Sequence, residues 1–159
     1  MPLTKLKAAA AARDLPPLSE FLCLAVYSTN HAFSRAYKPL LDKLGLTYPQ
    51  YLAMVALWEE DGQTVGAIGQ KLFLESNTLT PLLKRLEALG HLTRSRAAHD
   101  ERQVLVHLTE KGRALRKEAA EVPWCLFDAL ELELEDLVRL RDDLKVLRER
   151  LNRSAEELG

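Results

Sequence analysis

The sequence lacks any run of apolar residues long enough to span a bilayer, although hydrophobic residues make up 47% of its 159 positions. Its first residues also lack the layout of a signal peptide. We therefore expect a cytoplasmic protein that has no membrane partner. The hydrophobic content argues against disorder, and the length allows one domain with a substantial core.

An excess of charge of one sign is also lacking, because the formal net charge is −1. Affinity for a polyanion must then come from charge concentrated on one part of the chain. From Lys84 to Lys117 there are nine Lys or Arg residues and four Asp or Glu residues, a local balance of +5. An isolated charge run usually forms a solvated surface, but an ordered helix and ribbon carrying this charge indicates a nucleic-acid-binding face.

Cysteine is scarce, with Cys23 and Cys125 as the two examples. In a reducing compartment both are expected to rest as thiols, and either can simply be a small buried hydrophobe. The four histidines lack the spacing of metal ligands; they are His31, His91, His99 and His107. We therefore expect neither a metal nor another cofactor.

Two short helices are predicted in the middle of the chain. Thr64 suits the N-cap of a helix that runs to Leu72, and Phe73 to Ser76 form the turn that follows. Gly90 ends the second helix. The apolar residues of this helix fall on one face; they are Leu79, Leu82, Leu83, Leu86 and Leu89. Such a pair, polar on its outer side, predicts a helix-turn-helix.

The start of this second helix is set by a proline. Pro81 fits where its missing N–H costs nothing, which places the cap near Thr78 and leaves two residues in the approach. Backbone N–H groups and short polar side chains at a helix N-terminus suit phosphate, and the other polar side chains suit base edges or phosphates. The candidate DNA contacts here are Ser76, Asn77, Thr78, Thr80, Pro81, Lys84 and Arg85.

A β-ribbon is predicted next. Val104, Val106 and Leu108 alternate with their neighbours as in a half-buried strand, and Leu92–Arg96 is a weaker strand. The connection between them is too long for a two-residue turn and suits a protruding tip. With the two helices, this ribbon forms a winged helix, and its candidate DNA contacts are Arg94, Arg96, Asp100 and Arg102.

The remaining sequence predicts further helices. One runs from about Glu20 to about Tyr37 with Ser19 as its N-cap, and Pro39 breaks or kinks it. Another, Tyr48–Glu60, is apolar nearly all round and is expected at the centre of the core. Lys111–Glu121 continues as a helix out of the ribbon.

A last helix is predicted from Leu126 to about Asn152. Its leucines repeat at fours and threes, as in an a/d seam; they are Leu130, Leu134, Leu137, Leu140, Leu144, Leu147 and Leu151. An intramolecular helix could cover this seam. We favour a dimer interface made with the N-terminal helix, because palindromic DNA half-sites select for dimers.

The winged-helix segment resembles the core of the MarR-type transcriptional regulators, with the wing signature Asp100-Glu101-Arg102 followed by Leu108-Thr109 and Gly112. Three other runs, with Cys23, resemble the organic-hydroperoxide-resistance regulators within that family: LTYPQY at 46–51, LWEEDG at 57–62 and TLTPLLKRLE at 78–87. The resemblance covers roughly Phe21 to Pro123. It implies a mainly α fold with a small β-wing, in one domain over 1–159. Dimerisation helices at 19–45 and 121–155 would flank a winged-helix core at 48–118.

Cys23 is the residue that we expect to carry chemistry. It lies near the start of the first long helix, where the positive end of the helix dipole favours thiolate. A thiolate attacks peroxides and becomes sulfenic acid. The apolar neighbours of Cys23 suit an organic peroxide; they are Phe21, Leu22, Leu24, Ala25 and Val26.

The resemblance also implies partners for this cysteine. In the related regulators two tyrosines hold the sensing cysteine, and Tyr37 and Tyr48 match their positions. Fourteen residues separate Cys23 from Tyr37, about 21 Å along a straight helix. Either that helix breaks sharply or Tyr37 comes from the other subunit, and the family has the second arrangement. Tyr27, one turn after Cys23, is a local alternative, and any of the three tyrosines can instead belong to the core.

Cys125 resembles the second cysteine of the two-cysteine regulators, which resolves the sulfenic acid as a disulfide to the other chain. Without it, a small external thiol would have to do so.

The leading interpretation is therefore a repressor that binds double-stranded operator DNA as a reduced homodimer. Organic hydroperoxides, as inducers, would release it through Cys23 and Cys125. The alternatives are a MarR-type repressor that answers a small ligand and a thiol peroxidase, which would leave the charged wing unexplained.

Overall fold

Helices make up most of the structure, a computed structural model that describes residues 7, 11–12, 14–97 and 100–158. A small three-stranded antiparallel sheet completes it. The mainly α fold with a β-wing predicted from the sequence is therefore confirmed. The chain divides into two compact units, the first ending at Val122 and the second beginning at Pro123. No helix within the described ranges is long and apolar enough to cross a membrane.

The first long helix, α1, spans Leu22–Asp42. The predicted cap at Ser19 is wrong, because that residue lies inside a short 3₁₀ turn, Leu18–Glu20, and Phe21 is the N-cap. The predicted break at Pro39 is also wrong, since the helix continues to Asp42. One proline in an exposed turn costs a single ladder hydrogen bond, which the rest of a long helix can outweigh.

The end of α1 is set by Gly45 rather than by the proline. Gly45 has a φ of +66°, and its N–H donates to the carbonyl of Asp42 at 3.2 Å. The N–H of Leu46 donates to the carbonyl of Leu41 at 3.1 Å. These two bonds form a Schellman motif, which satisfies the last carbonyls and turns the chain into α2.

Helix α2, Tyr48–Glu59, lies at the centre of the core as predicted. Thr47 and Gln50 form a capping box at its start, and Pro49 stands in its first turn, where no N–H is needed. Buried side chains point from it in several directions: Gln50, Tyr51, Ala53, Met54, Ala56 and Leu57. The other helices of the first unit and the sheet pack around this apolar rod.

Strand β1, Gln63–Thr64, leads into α3, Val65–Leu72. The predicted cap is confirmed, since Thr64 Oγ1 accepts a hydrogen bond from the Ala67 N–H at 3.1 Å. Phe73 ends α3 in the left-handed conformation. A Cβ on Gly69 would lie 2.8 Å from the carbonyl oxygen of Leu74, so only glycine permits this close turn into the next helix.

Helix α4, Ser76–Ala88, is the second helix of the helix-turn-helix. The predicted cap near Thr78 is wrong, because Glu75 is the N-cap and its carbonyl accepts the N–H groups of Thr78 and Leu79, both at 3.0 Å. Pro81 therefore lies in the second turn. Burial of one face holds the helix together despite the proline; that face consists of Leu79, Leu83 and Leu86.

Strands β2, Leu92–Ala97, and β3, Asp100–Leu108, form the wing. The strand order is β1-β3-β2, with Leu92 opposite Leu108 and Gln63 opposite Val106. An irregularity in register falls between Arg96 and Ala97. The predicted tip includes Ala98 and His99, which lie outside the described residues. The sequence did not predict β1, because two residues give no periodicity.

Helix α5 spans Glu110–Ala119 and is capped by Thr109, whose Oγ1 accepts the Gly112 N–H at 3.0 Å. Helices α6, Val122–Leu130, and α7, Leu134–Leu158, follow. The prediction of one last helix from Leu126 is wrong, since Glu131, with a φ of +51°, separates two helices. The leucine spacing continues across this break, so the pattern did not reveal it.

Candidate nucleic-acid interface and cysteine sites

A groove of about 580 Å³ lies where the helix-turn-helix meets the wing. Its lining comes from the start of α3, from one side of α4 and from β2 and β3. Four of the predicted DNA contacts meet here: Ser76, Thr80, Arg94 and Arg102. Residues that were not predicted from the sequence as DNA contacts also line it: Thr64, Val65, Gly66, Ala67, Gln70 and Gln103.

The outer face of α4 is open to solvent. Most of its predicted contacts are exposed and Thr80 is half-buried; the exposed ones are Ser76, Asn77, Thr78, Pro81, Lys84 and Arg85. The N–H groups of Ser76 and Asn77 precede the first intrahelical bond of α4, and they carry its positive dipole end. This end of the helix can therefore meet an anion with both backbone and side-chain donors.

The wing presents two exposed arginines, Arg96 and Arg102. Asp100 stabilises the start of β3, because its carboxylate accepts hydrogen bonds from the Arg102 N–H at 3.0 Å and from Gln103 Nε2 at 3.2 Å. Asp100, which was predicted to contact DNA, thus forms hydrogen bonds within the wing itself. The side chain of Arg102 is exposed.

Arg94 is arranged differently from these two. Its side chain is 22% exposed, and its Nη2 lies 2.6 Å from Glu87 Oε2 on α4. The hydrogen bonds from the Arg94 guanidinium lower the pKa of the Glu87 carboxyl. The sequence analysis missed Glu87, because an acid in a basic segment gave no functional signal.

The base of the wing is braced by Asp61. This carboxylate accepts the Leu108 N–H at 2.8 Å and Arg113 Nη1 at 2.6 Å, and so joins the end of α2 to β3 and α5. Partial burial opposes ionisation, but the bonds from Leu108 and Arg113 prevail and lower the pKa of Asp61. Trp58 adds a second link, with its Nε1 donating to the Gly112 carbonyl at 2.8 Å.

Cys23 is an exposed free thiol at the second position of α1. It therefore lies in the first turn, where the dipole is positive, although the predicted cap was wrong. The apolar neighbours do not close over it within one chain, because Leu22 is 60% exposed and Val26 43%. Tyr27, the local alternative, is 63% exposed and stacks edge-on against His31, with ring centroids 4.4 Å apart.

Tyr37 and Tyr48 form an aromatic cluster at the other end of α1. Their ring centroids are 4.6 Å apart, and the rings of Tyr37 and Tyr51 are 6.1 Å apart. Burial, and then the charges of Tyr48 and Tyr51, raise the pKa of Tyr37 to about 12. Since α1 is continuous, Cys23 and Tyr37 of one chain stay about 21 Å apart. The sharp break that would have joined them is excluded.

Cys125 is also an exposed free thiol, in the first turn of α6. Trp124 beside it is 62% exposed and packs edge-on against Phe127, with centroids 6.5 Å apart. Further along, the predicted seam is an open apolar stripe on α7. Its most exposed leucines are Leu134 at 57%, Leu140 at 51% and Leu151 at 60%.

A second cavity, of about 310 Å³, lies between the end of α1 and the start of α2. Leu41, Leu46 and Tyr48 line it together with Lys38 and Asp42, whose side chains form a salt bridge of 2.8 Å. No group of three or more His, Cys, Asp and Glu side chains suited to a metal ion occurs within the described part of the chain, from which His99 is left out.

Comparisons with known proteins give consistent matches. A family model described as transcriptional regulator SarA/Rot matches residues 35–119. The HTH-type transcriptional regulator TtmR of Methylorubrum extorquens is 49% identical over 144 residues, which cover 90% of this chain and 74% of that protein. The organic hydroperoxide resistance transcriptional regulator of Bacillus subtilis is 44% identical over 139 residues, which cover 87% of this chain and 95% of that protein.

A solved structure is similar over most of the chain as well. It is the reduced form of AbfR bound to DNA, with a TM-score of 0.72 and 36% sequence identity. The match covers 84% of this chain and 95% of the AbfR chain. A similar fold is therefore known in a complex with DNA.

Proposed function

Since the chain belongs to the SarA/Rot family of transcriptional regulators, we propose that it is a repressor controlled by organic hydroperoxides. Its reduced homodimer binds double-stranded operator DNA, and oxidation of Cys23 releases it. The observation that carries the proposal is Cys23, an exposed thiol in the first turn of α1, in a chain 44% identical to an organic hydroperoxide resistance regulator.

DNA binding is assigned to the groove between the helix-turn-helix and the wing. Helix α4 enters the major groove with its N-terminus, where Ser76, Asn77 and Thr78 are exposed. Arg102 at the wing reaches the adjacent minor groove, whose negative potential attracts arginine. The half-buried Thr80 and the remaining exposed positions contact backbone or bases; the exposed ones are Pro81, Lys84, Arg85 and Arg96.

The chemistry of the switch needs one oxidant, the hydroperoxide. The Cys23 thiolate attacks the peroxide oxygen that bears hydrogen, the O–O bond breaks, and the alkoxide leaves as the alcohol after taking a proton. The Cys23 sulfur is oxidised to sulfenic acid. The Cys125 thiol then attacks that sulfur, an S–S bond forms, the S–O bond breaks and water leaves.

The second subunit completes the site. Tyr37 lies about 21 Å along α1 from the Cys23 of its own chain, and Tyr48 at the start of α2 packs against Tyr37, so we assign both tyrosines to the cysteine of the partner. We assign residues 19–45 and 121–155 to dimerisation and 48–118 to DNA binding, with the stripe on α7 as part of the interface. A disulfide between Cys23 and Cys125 of different chains requires Cα atoms within about 7 Å. Unless the two residues already lie that close, forming the disulfide would shift the two DNA-binding heads.

The proposal is tested with a fluorescein-labelled duplex from the DNA upstream of the coding sequence. Reduced protein and protein treated with cumene hydroperoxide are titrated onto it, and anisotropy gives both affinities. We expect the reduced protein to bind at least about tenfold more tightly than the oxidised protein, and dithiothreitol to restore binding. Equal affinities in the two states would contradict peroxide control, and no binding in either would contradict the assignment of this duplex as operator.

The cavity between α1 and α2 supports a second candidate, a repressor that answers a small ligand. Such a ligand would stabilise one arrangement of α1 relative to α2 and release DNA without any change at sulfur. Leu46→Trp, which fills the cavity, would abolish a ligand response but leave a peroxide response intact. The two candidates are therefore separable in one anisotropy assay.

A further inference from the structure

Glu87 and Arg94 connect the recognition helix to the wing through one carboxylate. Arg94 Nε and Nη2 donate to Glu87 Oε2 at 2.9 and 2.6 Å. The backbone N–H of Arg94 donates to Glu87 Oε1 at 3.1 Å. Three hydrogen bonds thus run from a single residue of β2 to the C-terminal part of α4.

The edge position of β2 makes this arrangement effective. In the order β1-β3-β2, alternate N–H groups of β2 point away from β3, and the Arg94 N–H is one of them. Glu87 satisfies this edge amide and the guanidinium together. The side chains are only 34% and 22% exposed, which limits the water that competes for these charge-assisted bonds.

The turn before β2 is held separately. The His91 N–H donates to the Leu86 carbonyl at 3.0 Å, and Thr109 Oγ1 donates to the Gly90 carbonyl at 2.7 Å. These contacts fix where β2 begins but not the direction in which it continues. Arg94 lies two residues beyond the start of the strand, on the way to Arg96 and the tip, and there Glu87 ties the strand to α4.

The charge of Arg94 also argues against a phosphate contact. Its guanidinium is paired with a carboxylate, so bringing a phosphate to it would add a second anion beside Glu87. The exposed arginines of the wing carry no such pair in the described structure: they are Arg96 and Arg102. A geometric role for Arg94 follows more directly than an electrostatic one.

We propose that the Glu87–Arg94 pair is a positioning device that sets the angle between α4 and the wing, so that both meet one duplex. This rests on the proposed DNA binding and revises the prediction that Arg94 itself contacts DNA. The pair is specific for arginine, because only its planar fork can bond the carboxylate through two nitrogens while the backbone takes the other oxygen.

Two substitutions separate positioning from direct contact by the sign of their effect. Glu87→Gln makes the full-length protein more positive, so electrostatics alone predicts tighter binding to the labelled duplex. Loss of positioning predicts binding weaker by about tenfold, the scale of a lost charged hydrogen bond. Arg94→Lys keeps the charge but loses the fork, and we expect a similar loss. Glu118→Gln, at an exposed position on α5, is the matched charge control.

A double substitution and a measurement without DNA complete the test. The loss in the double variant Glu87→Gln, Arg94→Lys should be no larger than in either single variant, because both remove the same device. Amide hydrogen exchange of Arg94, read by NMR on the folded protein, should quicken in Glu87→Ala at an unchanged overall fold. That arm needs no DNA, so it tests the pair even if the proposed DNA binding fails.

Three results would contradict the positioning role of the Glu87–Arg94 pair. Glu87→Gln that binds DNA as tightly as wild type or more tightly, with Arg94→Lys unaffected, would overturn the positioning role of the pair. Additive losses in the double variant would mean that the two residues act independently. An unchanged exchange rate at Arg94 would show that Glu87 does not hold this strand.

Discussion

His91 is buried at the turn between α4 and β2, and its Nδ1 has no hydrogen-bond partner among the described residues. Burial, and then the nearby charge of Lys111, lower the pKa of this imidazole. The unfolded chain therefore takes up a proton as the pH falls through about 6.5, while the folded chain resists it. The stability that the neutral imidazole contributes is therefore present above that pH. It is lost as the pH falls towards the lower pKa of His91 in the folded chain.

We predict that His91→Phe reduces this pH dependence. The thermal midpoint of wild type should fall between pH 7.5 and pH 5.5 by more than that of the variant, since the other histidines are common to both. Thermal scans at both pH values measure it. A pH-dependent fall of equal size in the two proteins would mean that His91 contributes nothing to it.

A second prediction concerns the effect of a side chain at Gly112 on stability. A Cβ there would lie 2.0 Å from the carbonyl oxygen of His91, which is far inside van der Waals contact. Gly112→Ala should therefore destabilise the protein by more than about 2 kcal/mol in urea unfolding. Gly66→Ala is the control, because its new Cβ would have only Thr64 Oγ1 nearby, at 4.0 Å. Equal stability of the two variants would contradict the close approach.

At the scale of the element, the wing and α4 should make separable contributions to DNA binding. Arg102→Ala removes an exposed cation from the wing and should weaken binding while the fold stays intact. It should also lower the slope of log affinity against log salt by about 1, the value for one lost phosphate contact. Lys84→Ala should weaken binding too, through phosphate or base. Unchanged affinity of Arg102→Ala at several salt concentrations would remove Arg102 from the interface.

The helix-turn-helix could be predicted from the sequence because local signals decide it. The Thr64 cap and the leucine spacing of α4 fix two helices without reference to the rest of the chain. The start of α4 could not be predicted from Pro81, because local rules place a proline in the first turn. Burial of Leu79, Leu83 and Leu86 instead holds it in the second turn. Tertiary packing here outweighs the local preference.

Arg94 could not be interpreted from the sequence alone. Its neighbours Arg96 and Arg102 are equally basic, and only the fold brings Glu87 within 2.6 Å of one of the three. The break at Glu131 was hidden for the opposite reason, because the leucine repeat continues through it. Charge and periodicity predict which face a residue occupies but not which partner it meets.

At the scale of the whole molecule, the comparisons confirm the predicted family resemblance. The relatives are transcriptional regulators rather than enzymes, which decides against the thiol peroxidase. The tyrosine and cysteine assignments stay predictions, because they depend on a second chain. Sequence could indicate that partner only through the unpartnered stripe on α7.

That stripe predicts a homodimer. Leu140→Glu with Leu144→Glu places two charges on it, and light scattering should then give a monomer, because charge burial at the interface is costly. Arg153→Glu, on the opposite face of α7, is the control and should remain a dimer. Removal of the chain after Glu121 should likewise give a monomer or an insoluble product. A dimer from the double variant would place the interface elsewhere.

The proposed release of DNA through oxidation of Cys23 by peroxide can be tested in one titration. Cumene hydroperoxide is added in steps to the protein–duplex complex while anisotropy is recorded. For wild type we predict release that is complete near one equivalent per subunit. Cys23→Ser should bind the duplex and stay bound, because serine forms no sulfenic acid. Release of Cys23→Ser at the same equivalents would contradict sensing at Cys23 and favour a repressor that responds to a small ligand.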